Sequence, residues 1–187
     1  MTHDQFEYIV QEFEDRGDYR MVLVCLLMAK CIRIGDILKT IRKKDAFTPK
    51  GQIRPRMRFK EEKTCKERII VLVGKKTGTK LITALKAYQG EIKQVPRDEE
   101  MFYGRKTGEP LRDKGVKFLL SKFVGHRNIE QCSPHSFRKY GAKFMYQNGV
   151  DIEVISQILN HQSVRETRTY LDIKPQEVEN AMEILEY

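Results

Sequence analysis

Over residues 52–60 the chain drops the three-to-four-residue spacing of its apolar side chains and alternates strictly. Ile53, Pro55, Met57 and Phe59 fall on one side; Arg54, Arg56, Arg58 and Lys60 fall on the other. A period of two belongs to a strand with one face turned inward. Pro55 cannot donate to a ladder, which places it at an edge or a bulge. A second apolar run, Arg68–Val73, follows after a turn over Glu61–Lys66. Helical spacing returns on both sides of this region. The chain is therefore expected to be α+β and mostly helical, with one small antiparallel sheet carrying a basic face.

The helices announce themselves by their ends. Thr2 and Gln5 have capping-box spacing ahead of Phe6, Ile9, Val10 and Phe13, a first helix that stops near Gly17. Asp18 caps a second, Tyr19–Lys30, apolar on almost every side and so buried. A third presents Ile34, Ile37, Leu38 and Ile41. Helical spacing resumes at Thr79–Ile92 and again at Leu111–Val124, separated by a connecting stretch with a turn near Gly104–Gly108. Ser133 and Pro134 form an N-cap followed by proline, leading into a helix over His135–Asn148 that Gly149 ends. Within it Phe137, Tyr140 and Phe144 are expected to anchor the core. Asp151–Leu159 reads as a short helix, Ser163 caps another reaching Tyr170, and Pro175 opens a last one with Val178, Ala181, Met182 and Leu185 on one face.

Charge is unevenly spread. The net charge is +9, yet residues 39–80 alone carry fifteen Lys or Arg against four acids. A block of that kind suits a phosphate-lined partner, where contacts release counterions; a solvated basic surface is the plain alternative. No apolar run approaches the ~20 residues of a bilayer span, so no membrane contact is expected and the chain is read as cytoplasmic. Cys25, Cys31, Cys65 and Cys132 form no CxxC pair and read as reduced, buried thiols. Cys132 and His135 stand three apart, but a metal would need two further ligands, so neither metal nor other cofactor is expected.

Four residues carry chemistry jointly that none carries alone. His135 and Arg138 lie at i and i+3 of one helix face. His161 follows in Leu159-Asn160-His161, and Tyr170 in Thr169-Tyr170-Leu171. A lone His or Tyr at such a place is usually packing or surface. The run His135-Ser136-Phe137-Arg138, then Gly149-Val150-Asp151-Ile152, then Leu159-Asn160-His161, then Tyr170 closely resembles, in order and spacing, the C-terminal half of the tyrosine recombinase (phage-integrase) family. Cys31-Ile32-Arg33-Ile34-Gly35-Asp36-Ile37-Leu38 resembles that family's first-arginine motif, and Lys63-Thr64-Cys65-Lys66-Glu67-Arg68 its hairpin-lysine segment. The resemblance begins at Thr2 and covers essentially the whole chain. It implies a catalytic domain over residues 1–187, without the separate N-terminal DNA-clamping domain that known members usually carry. A fragment or a single-domain member both fit that expectation.

By this resemblance the site comprises Arg33, Lys63, His135, Arg138, His161 and Tyr170, with Lys66 a competitor for the hairpin lysine and Lys60 a weaker one. The implied activity is site-specific recombination or integration of double-stranded DNA by subunits that associate, as a tetramer, on it. The tyrosine hydroxyl would attack phosphorus, leaving a 3′-phosphotyrosine and a free 5′-hydroxyl. Two arginines would hold the non-bridging oxygens, a task done elsewhere by a metal ion. Lys63 would protonate the leaving oxygen, His135 would relieve the phenol of its proton or position it, and His161 would donate to the phosphate. Arg54, Arg56, Arg58, Lys60 and Lys66 are expected to line the duplex through its phosphates. Two other activities use the same inventory: a nicking-resealing enzyme of the type IB topoisomerase kind, and a DNA-binding regulator with an idle site. Four departures from the family pattern stand out. Cys31 replaces a usual Gly, Gly35-Asp36 a usual Ser-Glu, Lys139 a second His, and Asn160 a usual Gly.

Overall fold

A computed structural model describes residues 1–73, 79–105 and 107–173 of the chain. Its first three helices are α1 (His3–Asp15), α2 (Tyr19–Ala29) and α3 (Ile34–Lys39). The predicted caps form: the Thr2 hydroxyl accepts from Gln5 N at 3.2 Å while Gln5 Oε1 accepts from Thr2 N at 2.9 Å. Asp18 Oδ1 accepts from Met21 N at 3.2 Å. The near-uniform apolarity of α2 has its expected outcome. Met21, Val22, Leu23, Val24 and Cys25 are wholly buried, and α2 packs against α1, α3, α5 (Thr79–Glu91) and α7 (Pro134–Gln147). It is the axis around which the helices are laid.

The sheet is an antiparallel pair, β1 (Arg56–Lys60) and β2 (Glu67–Val71), in the register Arg56↔Val71 to Lys60↔Glu67. Met57 and Phe59 face the core and Arg56, Arg58 and Lys60 face solvent, as the alternation requires. The strand starts later than the pattern, because Pro55 interrupts it. The Pro55 carbonyl accepts from both Leu72 N (2.9 Å) and Val73 N (3.1 Å), two residues opposing one as in a bulge. Upstream, Ile53 makes only an isolated bridge to Phe47. A one-turn helix α4 (Lys43–Ala46) precedes the strands and has no periodic signal long enough to read in the sequence. The helix expected over Leu111–Val124 is trimmed to α6 (Asp113–Ser121). Leu111 is held outside it by bonding its N–H to the Phe102 carbonyl at 2.8 Å.

The C-terminal part contains α7, α8 (Ile152–Leu159) and α9 (Val164–Leu171), capped by Ser133, Asp151 and Ser163. A second apolar cluster of Cys31, Ala142, Ile155, Leu159 and Leu171 docks α8 and α9 onto α7, with Tyr170 packed beside it. Two expectations fail. Phe144 is 43% exposed and stacks on His3 rather than entering the core, and Cys65 is exposed because it occupies the tight turn between the strands. The helix expected from Pro175, with Val178, Ala181, Met182 and Leu185, lies outside the described residues. No described helix is long and apolar enough to cross a membrane.

Candidate active site

Arg33 is the N-cap residue of α3, placed there by the connection from α2. Cys31 in that connection has φ 63°, a left-handed conformation that costs little for glycine and more for any other residue. Its thiol approaches the Arg138 carbonyl at 3.6 Å, so the link carrying the first arginine lies directly on the helix carrying the second. The helices themselves touch nearby. A Cβ built on Gly141 of α7 would fall 1.8 Å from the Ala29 carbonyl oxygen, a closeness only glycine permits.

His135 and Arg138 project from α7 as the i, i+3 spacing predicts. Both line one cleft of about 320 Å³ together with Arg33, Ile32, Ser133 and Pro134. Arg138 Nη2 donates to the Leu159 carbonyl at 2.7 Å, which fixes one edge of the guanidinium to the end of α8. Its Nε is buried and hydrogen-bonds to no described residue. Burial and the neighbouring Arg33 charge both lower the pKa of Arg138, which puts the two guanidiniums in mutual electrostatic range.

Tyr170 stands between the histidines. Its ring meets His135 edge-on at 5.1 Å between centroids and His161 at 5.3 Å. The hydroxyl is buried and finds no partner among the described residues, and burial pushes its pKa up to about 12 despite the nearby Arg138. Both imidazoles move the other way. Burial, then Lys139 and Arg138, lowers His135; burial also lowers His161, against the pull of Glu166 and with smaller help from Arg138 and Arg33. His161 Nδ1 is 2.9 Å from the hydroxyl of fully buried Thr167. With that hydroxyl donating, the neutral ring carries its proton on Nε2, which lies 3.8 Å from Glu166 Oε1.

The remaining predicted groups divide. Lys66 Nζ lies 3.3 Å from Asn160 Oδ1, immediately before His161. Lys63 is exposed in the turn and makes no hydrogen bond or ion pair among the described residues. Arg56, Arg58 and Lys60 share the outer face of β1, where Arg58 pairs with Glu67 at 3.3 Å. Arg54 does not join them: its Nε donates to the Lys44 carbonyl at 2.8 Å.

Several supports went unread in the sequence. Asp36 is 2% exposed and accepts from Glu62 N at 2.8 Å, tying α3 to the strand turn. Glu61 is 5% exposed and bonds Arg33. Glu61 is an acid inside the basic block, and for it that was the available signal. Lys139, where a second His is usual, reaches Asp172 at 2.6 Å just past Tyr170, and Lys143 reaches it at 3.1 Å. Asn160, like Cys31, has positive φ (55°), so both departures from glycine fall where glycine is conformationally cheapest.

Comparison with known proteins finds a family match and a shared fold. The model of the phage integrase family matches residues 1–177. A tyrosine recombinase XerC of Thermodesulfovibrio yellowstonii is 24% identical over 91% of the chain and 57% of the relative. Among solved structures, a XerA recombinase superposes with a TM-score of 0.74 at 18% identity, over 100% of this chain and 65% of that one. A lambda integrase tetramer bound to a Holliday junction superposes with a TM-score of 0.64 at 17% identity, over 91% and 47% respectively. The chain thus spans less than two thirds of the length of these relatives.

Proposed function

The chain belongs to the phage integrase family, and on that premise we propose that it is a site-specific DNA recombinase or integrase. It cuts and rejoins double-stranded DNA by transesterification through Tyr170. One observation carries the reading: Arg33, Arg138 and His135 line a single cleft, and Tyr170 is wedged between His135 and His161. Arg33 stands more than a hundred residues before the other four groups, and packing alone does not require them to meet.

In this reading Arg33 and Arg138 take the non-bridging oxygens of the scissile phosphate with planar, permanently charged forks, each supplying about 3–4 kcal/mol of transition-state stabilisation. The orphaned Arg138 Nε is a donor of the right kind for such an oxygen. His161 donates a hydrogen bond through Nε2. A phenol whose pKa is raised to about 12 needs an acceptor for its proton, and His135, with its pKa lowered, is neutral at pH 7 and able to accept it. Lys63 protonates the departing 5′-oxygen. Lys66 is the second assignment, favoured by its contact with Asn160 beside His161. The bond count is conserved through a 3′-phosphotyrosine and no step calls for a metal or other cofactor, so adduct formation persists in EDTA.

Residues 1–187 act in this proposal as one catalytic domain, in the cytoplasm. Phosphate contacts come from Arg56, Arg58, Lys60 and Lys66, with Arg54 closer to α4, and four copies assemble on DNA as in the lambda integrase complex. The test uses a pool of nicked duplexes of randomised sequence. Wild-type protein forms a covalent adduct that survives denaturation and Tyr170→Phe does not. Retained binding without an adduct favours a regulator with an idle site. An adduct with plasmid relaxation but no strand exchange favours a topoisomerase-like activity.

A further inference from the structure

One acid in the basic block has no solvent to neutralise it. Glu61 directly follows β1 and is 5% exposed, yet its carboxylate accepts from four donors drawn from three separate stretches of chain. Oε2 receives Arg33 Nη1 at 3.3 Å, the Thr64 hydroxyl at 2.7 Å and Asn160 Nδ2 at 3.0 Å. Oε1 receives Arg68 Nη1 at 3.2 Å. Four bonds use about the full accepting capacity of a carboxylate. Burial would raise its pKa, but Thr64, Arg68, Asn160 and Arg33 together hold it below the usual range. Glu61 is a fixed anion whose bonds all point into the protein.

What it holds is the framework of the site. The Arg33 side chain spends one N–H on Glu61 and makes no other hydrogen bond among the described residues. Its remaining donors therefore keep one orientation toward the cleft it shares with Arg138. Thr64 lies in the turn that carries Lys63 and Lys66. Asn160 gives its amide N–H to Glu61, receives Lys66 on its oxygen, and leads by its left-handed backbone into His161. Two guanidiniums facing one cleft repel each other, and a buried carboxylate against one of them offsets that repulsion. The Asn160 amide is an option that the more usual glycine lacks, so this junction is a property of this chain.

We propose that Glu61 is a positioning residue for strand cleavage, an internal anion that locks Arg33, the hairpin-lysine turn and the Asn160–His161 corner into one geometry. The inference rests on the recombinase reading above. Its test measures single-turnover adduct formation by the 187-residue protein, using the duplex sequences that wild type captures from the randomised nicked pool. DNA affinity and thermal melting are recorded alongside. Glu61→Gln should slow adduct formation by about 10- to 100-fold, the scale of a small misplacement of reacting groups, with little change in DNA affinity. Glu61→Asp should recover part of the rate. Because Glu61 acts in part through Arg33, Glu61→Gln combined with Arg33→Ala should lose less than the product of the two single losses.

Should Glu61→Gln melt below the assay temperature, Asn160→Gly reads the same junction, since glycine accepts the positive φ and removes only the amide. A slower adduct then supports the proposal and a wild-type rate overturns it. A wild-type rate for folded Glu61→Gln, or losses that multiply independently in the double variant, likewise overturns it while leaving the recombinase reading intact. Absence of any adduct with wild-type protein overturns that reading and this proposal with it.

Discussion

Tyr170 is held in the state least suited to a nucleophile: its hydroxyl desolvated, without a hydrogen-bond partner among the described residues, and with its pKa raised to about 12. The histidines flanking it are shifted to be neutral and so able to accept a proton. An ordinary histidine titrates near 6.5. Lowering the pKa moves the midpoint of deprotonation to the acid side of that value. An NMR titration of the free protein should therefore place both midpoints below about 6.5, and DNA should raise them by bringing a phosphate close. Midpoints at or above 6.5 in the free protein would contradict the geometry. The hairpin lysine is separable by leaving-group chemistry. Replacing the bridging 5′-oxygen by sulfur removes the need for a general acid, so the alanine variant of the true acid regains cleavage on that substrate. Lys63→Ala should be rescued and Lys66→Ala should not; rescue of Lys66→Ala alone would move the role there.

Among elements, the crossing of α2 and α7 decides whether the arginines meet. Arg33 follows the end of α2, Arg138 lies on α7, and the helices touch where Gly141 faces the Ala29 carbonyl. Gly141→Ala should destabilise the fold by about 2–3 kcal/mol or more, the scale of overpacking against a rigid neighbour, read as a lowered urea midpoint. A variant as stable as wild type would mean the helices have slack there. Much of this was legible beforehand. The caps at Thr2, Asp18, Ser133 and Ser163 fix helix starts by local hydrogen bonding, which a few residues encode. The strand alternation and its basic face followed from a period of two. The true strand start did not, because Pro55 bulges the pair through contacts with Leu72 and Val73 that arise only once the hairpin closes. The positions of the candidate site residues were suggested by spacing and family resemblance. Their supports were not, since Glu61, Thr167 and Asn160 act on partners up to 99 residues away.

For the whole molecule the dominant asymmetry is charge. Residues 1–18 carry six acids and one Arg, whereas the segment 39–80 is strongly cationic. Binding to duplex DNA should weaken steeply with salt. Replacing Arg56, Arg58 or Lys60 on the outer face of β1 should each reduce the slope of log affinity against log salt by about 0.9. Arg54→Ala should reduce it less, because that side chain is bound to the Lys44 carbonyl. Equal effects at all four positions would contradict this division of the basic surface. The central claim is that the scattered cations, imidazoles and phenol surround one phosphodiester, and it is tested most directly by locating the covalent link. Proteolysis and mass spectrometry of the trapped complex should find a nucleotide on the peptide containing Tyr170, joined through a 3′-phosphate. A link to any other residue, or through a 5′-phosphate, would contradict it.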